Sequence, residues 1–386
     1  MPVKVVATVI SDLVTDQRVH KVCTTLQGNG YEVYLIGAKR DHSLPLTQRP
    51  YKASRMKLFF QKRIWMYAEF NIRLFFKLLF VRADIFLGND LDVMPATWLV
   101  AKLRNKVIVY DTHEYFLGMP QLYGKPFALK VWTKAERTIF PTLKHIYTIC
   151  PSFCAMYKRD YGKELLSVRN VPYKNFMPSG IYQEQIDAIY DKIPTGKKIL
   201  IFQGIGINLE RGGEELVLAM QYLPAADYHL LIIGGGEVFD KIIALTKEKQ
   251  LADKITILPR VPFEVLRLIT IKADLGLSLD KPNNINHLYG LPNKIFDYLH
   301  SGVPVLVSRL VELERIVDTY KVGMYIDDHD PKYIAAKIEE AFSDKDRIEL
   351  WKKNTIKVRD ELNWEAEGKI VLQVFAQATI ELKTKK

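Results

Sequence analysis

The 386-residue sequence is poor in cysteine and contains no long apolar run. Its three cysteines, Cys23, Cys150 and Cys154, are odd in number and form no CxxC or Cys/His set with zinc-ligand spacing, so reduced structural thiols are expected and no metal. No stretch supplies the roughly 18 uninterrupted apolar residues of a membrane span. The opening MPVKVVATVI runs straight into a strand-like pattern without the zones of a signal peptide, and a cytoplasmic location is the expectation. Repeats and low-complexity tracts are absent. Neither Gly-rich loop completes GxGxxG after its strand, so a dinucleotide-binding fingerprint is missing.

What is present is an ordinary globular composition, 48% hydrophobic and 26% charged, with a net charge of +11. The charge suggests anionic partners without choosing among nucleic acid, acidic membrane and phosphorylated ligand. Short β-rich runs alternate with helical patterns: VKVVATVI, EVYLIG, DIFLG, KVIVYD and HIYTIC, then KILIFQG, YHLLIIG, KITIL, DLGLSL and VPVLVS. This is the βαβ rhythm of open, doubly wound parallel sheets, and the length suits two of them. The rhythm fails between Pro172 and Lys198. We therefore expect an α/β protein with a first domain over 1–172, a connection over 173–197 and a second domain over 198–363. A final helix over 364–386 is expected to pack back on the first domain. Open α/β sheets bind ligands at the carboxyl ends of their strands, so a ligand in a cleft between the domains follows.

Residues 199–217, ILIFQGIGINLERGGEELV, read as a strand, a loop with Gly204, Gly206, Arg211, Gly212 and Gly213, and a helix opening near Glu214. Such a loop lets a phosphate approach the backbone, with a helix N-terminus and a fixed cation beside it. A Gly-rich turn with a solvated Arg is the alternative. In LPNKIFDYLHSGVPVLVS, Leu291 to Ser308, Pro292 sits where a helix can start. Asn293 and Lys294 occupy its first turn, and Asp297 shares a face with Asn293.

These residues resemble glycosyltransferase family 4, the retaining, glycogen-synthase-like enzymes of GT-B fold, over nearly the whole chain. The likeness rests on the pair Arg211-Gly212 and on Asp297 before Gly302-Val303-Pro304, and it is nearest to LPNK-type bacterial polysaccharide and lipopolysaccharide enzymes. It implies two Rossmann-like domains facing a cleft, with the donor held by Gly204, Gly206, Arg211, Gly212, Asn293, Lys294 and Asp297. Arg211 would contact the donor diphosphate and Asp297 the ribose hydroxyls. Two positions depart from the pattern. The family's E-x7-E pair keeps only its second member, as Asp297, with Tyr289 near the first place; Ile205 stands where many members carry a basic phosphate ligand, for which Lys294 is a substitute.

In the first half, Ser11, Asp12, Asp16 and Arg18 crowd the first strand-to-helix turn, with Asp16 equally suited to capping the helix. Asp111, His113 and Glu114 follow the strand VIVYD. His113 resembles the family histidine near the transferred sugar and acceptor, where a pKa near 6.5 suits sharing a proton; a hydrogen-bonded turn histidine is the alternative. Asp90 and Asp92 are expected to cap a helix with an oxygen toward the cleft. Asp12, Asp16, Arg18, Asp90 and Glu114 thus form the expected acceptor side. From Tyr51 to Arg82, eight basic residues stand against one acid, Glu69, among bulky apolar side chains. A long helix of this kind suits an anionic membrane interface; a hairpin packed on the first domain is the alternative.

The expectation is transfer of a glycosyl unit, with retention, from a nucleoside diphosphate sugar to a cytoplasmic glycan or lipid-linked acceptor. No cofactor is required, and the enzyme would sit peripherally on the inner face of the membrane. A nucleotide-sugar epimerase of the same fold and an inactive nucleotide-sugar-binding scaffold are the rivals. No nucleic-acid partner is expected, because the basic residues concentrate in an aromatic-rich segment without a binding module.

Overall fold

The computed structural model describes residues 1–41 and 43–385, which divide into two compact units: Met1–Asn170 with Glu365–Lys386, and Val171–Trp364. The first unit's strands are β1 (Lys4–Thr8), β2 (Glu32–Lys39), β3 (Lys52–Lys57), β4 (Ile85–Asn89), β5 (Val107–Thr112), β6 (His145–Thr148) and β7 (Leu166–Ser167). Among the described residues they form a parallel sheet in the order β3-β2-β1-β4-β5-β6-β7. Its helices are α1 (Gln17–Gly28), α2 (Arg63–Phe80), α3 (Met94–Leu103), α4 (Pro126–Ile139) and α5 (Pro151–Tyr161). Strand β4 is buried along its whole length, as expected for a parallel strand covered on both faces. The strand order reverses between β1 and β4, opening a crevice at their carboxyl ends.

The basic segment 51–82 is not one helix. Its first part, KASRMK, pairs with β2 as the edge strand β3. Lys52, Arg55 and Lys57 give that edge the charge that discourages pairing with another chain. Helix α2 follows and buries Met66, Phe70, Leu74 and Leu78, a four-residue stripe, in the core shared with β1, β4 and α3.

The second unit opens with α6 (Gln183–Tyr190), which lies within the segment expected as a connection. It packs through Ile186 and Ile189, and Tyr190 donates to the carbonyl of Leu268 at 2.8 Å. The remaining strands are β8 (Lys198–Gly204), β9 (Tyr228–Gly234), β10 (Ile255–Pro259), β11 (Leu275–Ser278), β12 (Val305–Ser308) and β13 (Gly323–Ile326). They run parallel in the order β10-β9-β8-β11-β12-β13, the same order shifted in number. The helices are α7 (Gly213–Ala219), α8 (Phe239–Glu248), α9 (Phe263–Thr270), α10 (Ile285–Tyr289), α11 (Lys294–His300), α12 (Val311–Tyr320), α13 (Pro331–Phe342) and α14 (Lys345–Glu361). Here the order reverses between β8 and β11, so the Gly-rich loop after β8 and the residues after β11 share one crevice.

The last helix, α15 (Trp364–Thr384), belongs to the first unit. Val371, Val374, Phe375, Ala378 and Leu382 are buried at helical spacing. Phe375 meets Tyr31 edge-on at 5.8 Å, and Glu381 accepts from His145 at 3.0 Å. Among the described residues no helix is long and apolar enough to cross a membrane.

Candidate active site

In the second unit, the Gly-rich loop is shaped by contacts as much as by freedom of approach. Gly212 has φ 79°, and a Cβ there would lie 2.5 Å from the Leu279 carbonyl oxygen. Any side chain would push α7 away from the strand end, so Gly212 acts by packing. Gly204 and Gly206 meet no atom closer than 3.4 Å and leave the backbone open. The loop lies against residues 234–238, with Ile207 N donating to Gly235 O at 2.8 Å.

Helix α7 offers a weaker phosphate terminus than its position suggested. Glu214 and Glu215 occupy its first turn, and these acids already complement the helix dipole. Positive charge comes instead from side chains. Arg211 Nη1 lies 3.3 Å and Lys294 Nζ 3.8 Å from one oxygen of Asp280, whose side chain is 2% exposed. Burial would raise the Asp280 carboxyl, but Lys294, then Arg211 and His287, outweigh it and lower it. Burial lowers Lys294, opposed by Asp280. One carboxylate therefore balances two cations, and the surplus positive charge suits an anion.

Helix α11 carries Lys294 and Asp297 and is locked in place by Tyr298, whose hydroxyl donates to Leu277 O and accepts from Gln203 N, both at 3.1 Å. A Cβ on Gly276 would lie 2.4 Å from the Tyr298 ring, so this approach needs glycine in β11. The helix begins at Lys294 rather than Pro292, with Asn293 an exposed N-cap making no side-chain capping bond. Asp297 stands one turn along and is half-buried; it acts on Arg267, raising that residue's pKa against the larger effect of burial.

Two residues absent from the sequence reading join this site. Asp280 follows β11 at the reversal point, which is where its strand-end position in LSLDK could have flagged it. Arg260 follows β10 and donates through Nη2 to Ile205 O at 2.7 Å. It brings a guanidinium to the loop whose own residue 205 is apolar.

In the first unit, Arg18 is not a turn residue open to ligand. It is 4% exposed and grips the buried Asp111, Nε to both carboxylate oxygens at 3.1 and 3.0 Å and Nη2 to Oδ1 at 2.6 Å. Its Nη1 donates to Val168 O at 2.7 Å. The long, planar head is drawn inward, where Asp111 neutralises it. His113 completes the cluster: Nδ1 is 3.2 Å from Asp90 Oδ2, and Nε2 is 3.3 Å from Asp111 Oδ2 without hydrogen-bond alignment. Its backbone N–H donates to Asp90 Oδ1 at 2.7 Å. Asp90 holds φ 64° and ψ 164°, a backbone region costly outside glycine, and strain of this kind concentrates at functional sites.

The electrostatics change the role open to His113. Burial opposes its charge, but Asp90 and then Asp111 outweigh burial and raise its pKa to about 9. At neutral pH the ring is an imidazolium that donates hydrogen bonds, rather than a base near 6.5. The remaining acceptor-side residues do not converge. Asp16 caps α1, accepting from Val19 N at 3.0 Å and from the Ser11 hydroxyl. Asp12 accepts from Val14 N at 2.8 Å in a local turn, and Glu114 is exposed. A pH prediction follows. A raised folded-state pKa contributes stability that is fully present below the unfolded value of about 6.5 and lost as pH rises through about 9. Urea unfolding should show wild type losing more stability than His113→Gln across that window; equal slopes would remove the charge from His113.

Among the described residues no group of three or more His, Cys, Asp or Glu is placed to hold a metal ion. Residues 185–358 match the family described as Glycosyl transferases group 1. Over this stretch the chain carries a glycosyltransferase domain. No curated protein matches it. Among solved structures it is similar to sucrose-phosphate synthase from Thermosynechococcus elongatus, with a TM-score of 0.79 at 16% identity, covering 98% of this chain and 100% of that one. HepE from Anabaena, in complex with UDP-glucose, superposes with a TM-score of 0.74 at 12% identity over 97% of this chain and 99% of that one. WaaG, a glycosyltransferase involved in lipopolysaccharide biosynthesis, gives 0.71 at 14% identity over 96% and 99%. With two parallel-sheet Rossmann-like units, the chain has the GT-B fold.

Proposed function

We propose that the protein transfers a sugar, with retention, from a nucleoside diphosphate sugar to a hydroxyl of a lipid-linked glycan acceptor. The observation that carries the donor reading is the convergence of Arg211 and Lys294 on buried Asp280 beside the open backbone of Gly204 and Gly206. Departure of the diphosphate builds negative charge, and cations already fixed by a buried carboxylate stabilise it without reorganising. Asp297 is assigned to the ribose hydroxyls, with Asn293 beside it. Retention is supported by the likeness of Arg211, Asp297 and Gly302-Val303-Pro304 to the retaining family. His113, held as an imidazolium, is assigned as hydrogen-bond donor to a hydroxyl on the acceptor side.

The donor reading is tested by titrating nucleoside diphosphates and their sugars, beginning with UDP-glucose because the similar Anabaena structure binds it. Asp297→Ala should weaken donor binding about 10- to 150-fold through loss of charge-assisted hydrogen bonds worth about 1.5–3 kcal/mol. An unchanged titration would remove Asp297 from the site. Donor turnover without acceptor would favour an epimerase, and binding without either reaction a scaffold.

The acceptor reading draws on α2, which is apolar on both faces. Opposite its buried stripe, Trp65, Ile72, Phe76 and Phe80 are exposed, and Phe59 and Phe60 precede them. Such a helix suits a lipid interface. The cations contribute less than their number suggests: Arg73 pairs with Glu69 at 2.9 Å and Lys77 donates to Ser54 at 2.9 Å. We assign the apolar side chains the larger share, about 1.5–3 kcal/mol for each one fully buried. Replacing Trp65, Phe76 and Phe80 with serine should abolish sedimentation with phosphatidylglycerol vesicles; retained sedimentation would sink the membrane assignment.

A further inference from the structure

The second unit contains a cavity of about 630 Å³ between residues 174–177 and helices α9, α11 and α14. This is the size of a small-molecule site. None of its lining residues belongs to the loop 204–213, and Asp280, Lys294 and Asp297 do not line it. Four cations do, Lys174, Arg267, Lys352 and Arg359, and no carboxylate.

Two of these cations are neutralised nearby. Lys174 pairs with Asp360 at 3.1 Å and Lys352 with Glu349 at 3.2 Å. Among the described residues, Arg267 and Arg359 form no ion pair and no side-chain hydrogen bond. Arg267 is 6% exposed, and its guanidinium stacks 4.5 Å from the Phe176 ring centre. Burial lowers its pKa, Asp297 pulls the other way, and the Arg359 charge lowers it again. The Ser301 hydroxyl, also lining the cavity, is buried without a hydrogen-bond partner.

A nearly buried guanidinium facing a like charge is costly unless fully counter-charged, and Asp297 offsets only part of that cost. Two guanidinium forks suit phosphate oxygens, which they can bind in bidentate fashion. Phe176, Leu299 and Ile356 provide an apolar wall, which suits the carbon body of an ester rather than a free ion. We propose that this cavity binds a phosphate monoester with a ring or aliphatic body, at a site separate from that of the donor diphosphate. Bound there, the ligand would tie residues 174–177 to α9 and α14.

Isothermal titration of the full chain with phenyl phosphate tests this, with phenol and inorganic phosphate as comparisons. Phenyl phosphate is expected to bind, phenol not to, and inorganic phosphate to bind more weakly. Arg359→Gln, at a half-buried position, and Arg267→Gln should each weaken binding by about 10-fold or more, while Arg211→Gln leaves it unchanged. Absence of heat with phenyl phosphate overturns the proposal, as does affinity unchanged in Arg359→Gln. Affinity lost in Arg211→Gln alone would place the ligand in the donor site and overturn it too. Equal affinity for inorganic phosphate would overturn the assignment of the apolar wall to the ester body.

Discussion

Asp111→Asn is expected to lower the unfolding free energy by about 3–5 kcal/mol, the cost of leaving a buried charge without its partner. Arg18 would keep its place inside the first unit with only the Val168 carbonyl and the edge of a neutral amide to face. The carboxylate is held firmly in the native state. Burial alone would raise it, but Arg18 and then His113 bring it to about 2. A depressed pKa contributes stability that is present above about 3.8 and lost as pH falls through about 2, so near neutral pH the pair is at full strength. Chemical denaturation at pH 7 is the measurement. A loss below about 1 kcal/mol would mean that water reaches Arg18 and that the pair behaves like a surface salt bridge. Replacing both partners with apolar residues of similar volume should be far less harmful than either single change.

Arg211→Ala should reduce kcat by about 10²–10³, the range seen when one preorganised donor to a developing anion is removed. The loss should fall on kcat more than on KM, since in the proposed reaction the diphosphate gains charge as the sugar leaves. Asp280→Asn acts on the same chemistry from behind. It removes the carboxylate that holds Arg211 and Lys294 3.3 and 3.8 Å away. Both cations would then repel each other, and donor turnover should fall although Asp280 itself need not touch substrate. Steady-state kinetics with the donor identified by titration would decide. An Arg211→Ala enzyme within a factor of about 3 of wild type would remove that side chain from leaving-group stabilisation.

The sheets were legible in the sequence because parallel strands buried on both faces must be written as short apolar runs, and VVAT, IFLGN and LLIIG are such runs. Helix α11 was legible from the proline that precedes it, its polar first turn and its return through Gly302 and Pro304. What could not be read were the meetings between distant residues. Arg18 and Asp111 are 93 positions apart, and nothing local distinguishes an arginine aimed into the core from one facing water. Asp280 and Arg260 are single polar residues after strand ends, and their significance appears only once the order of strands places them beside the Gly-rich loop. Segment 51–82 misled for a different reason. Its basic composition suggested one continuous amphipathic helix, whereas the open edge of β2 favoured a strand for its first part.

The return of α15 to the first unit has a consequence for how the protein is made. That unit is assembled from two separate stretches of the chain, while Val171–Trp364 is continuous. During synthesis the continuous half has its whole sequence outside the ribosome before the first can be completed, because Phe375 and Glu381 follow it in the chain. Until then the surface destined to receive α15, including Tyr31 and His145, remains uncovered. A nascent chain stalled before residue 364 should therefore carry a protease-resistant second unit and a first unit still open to cleavage.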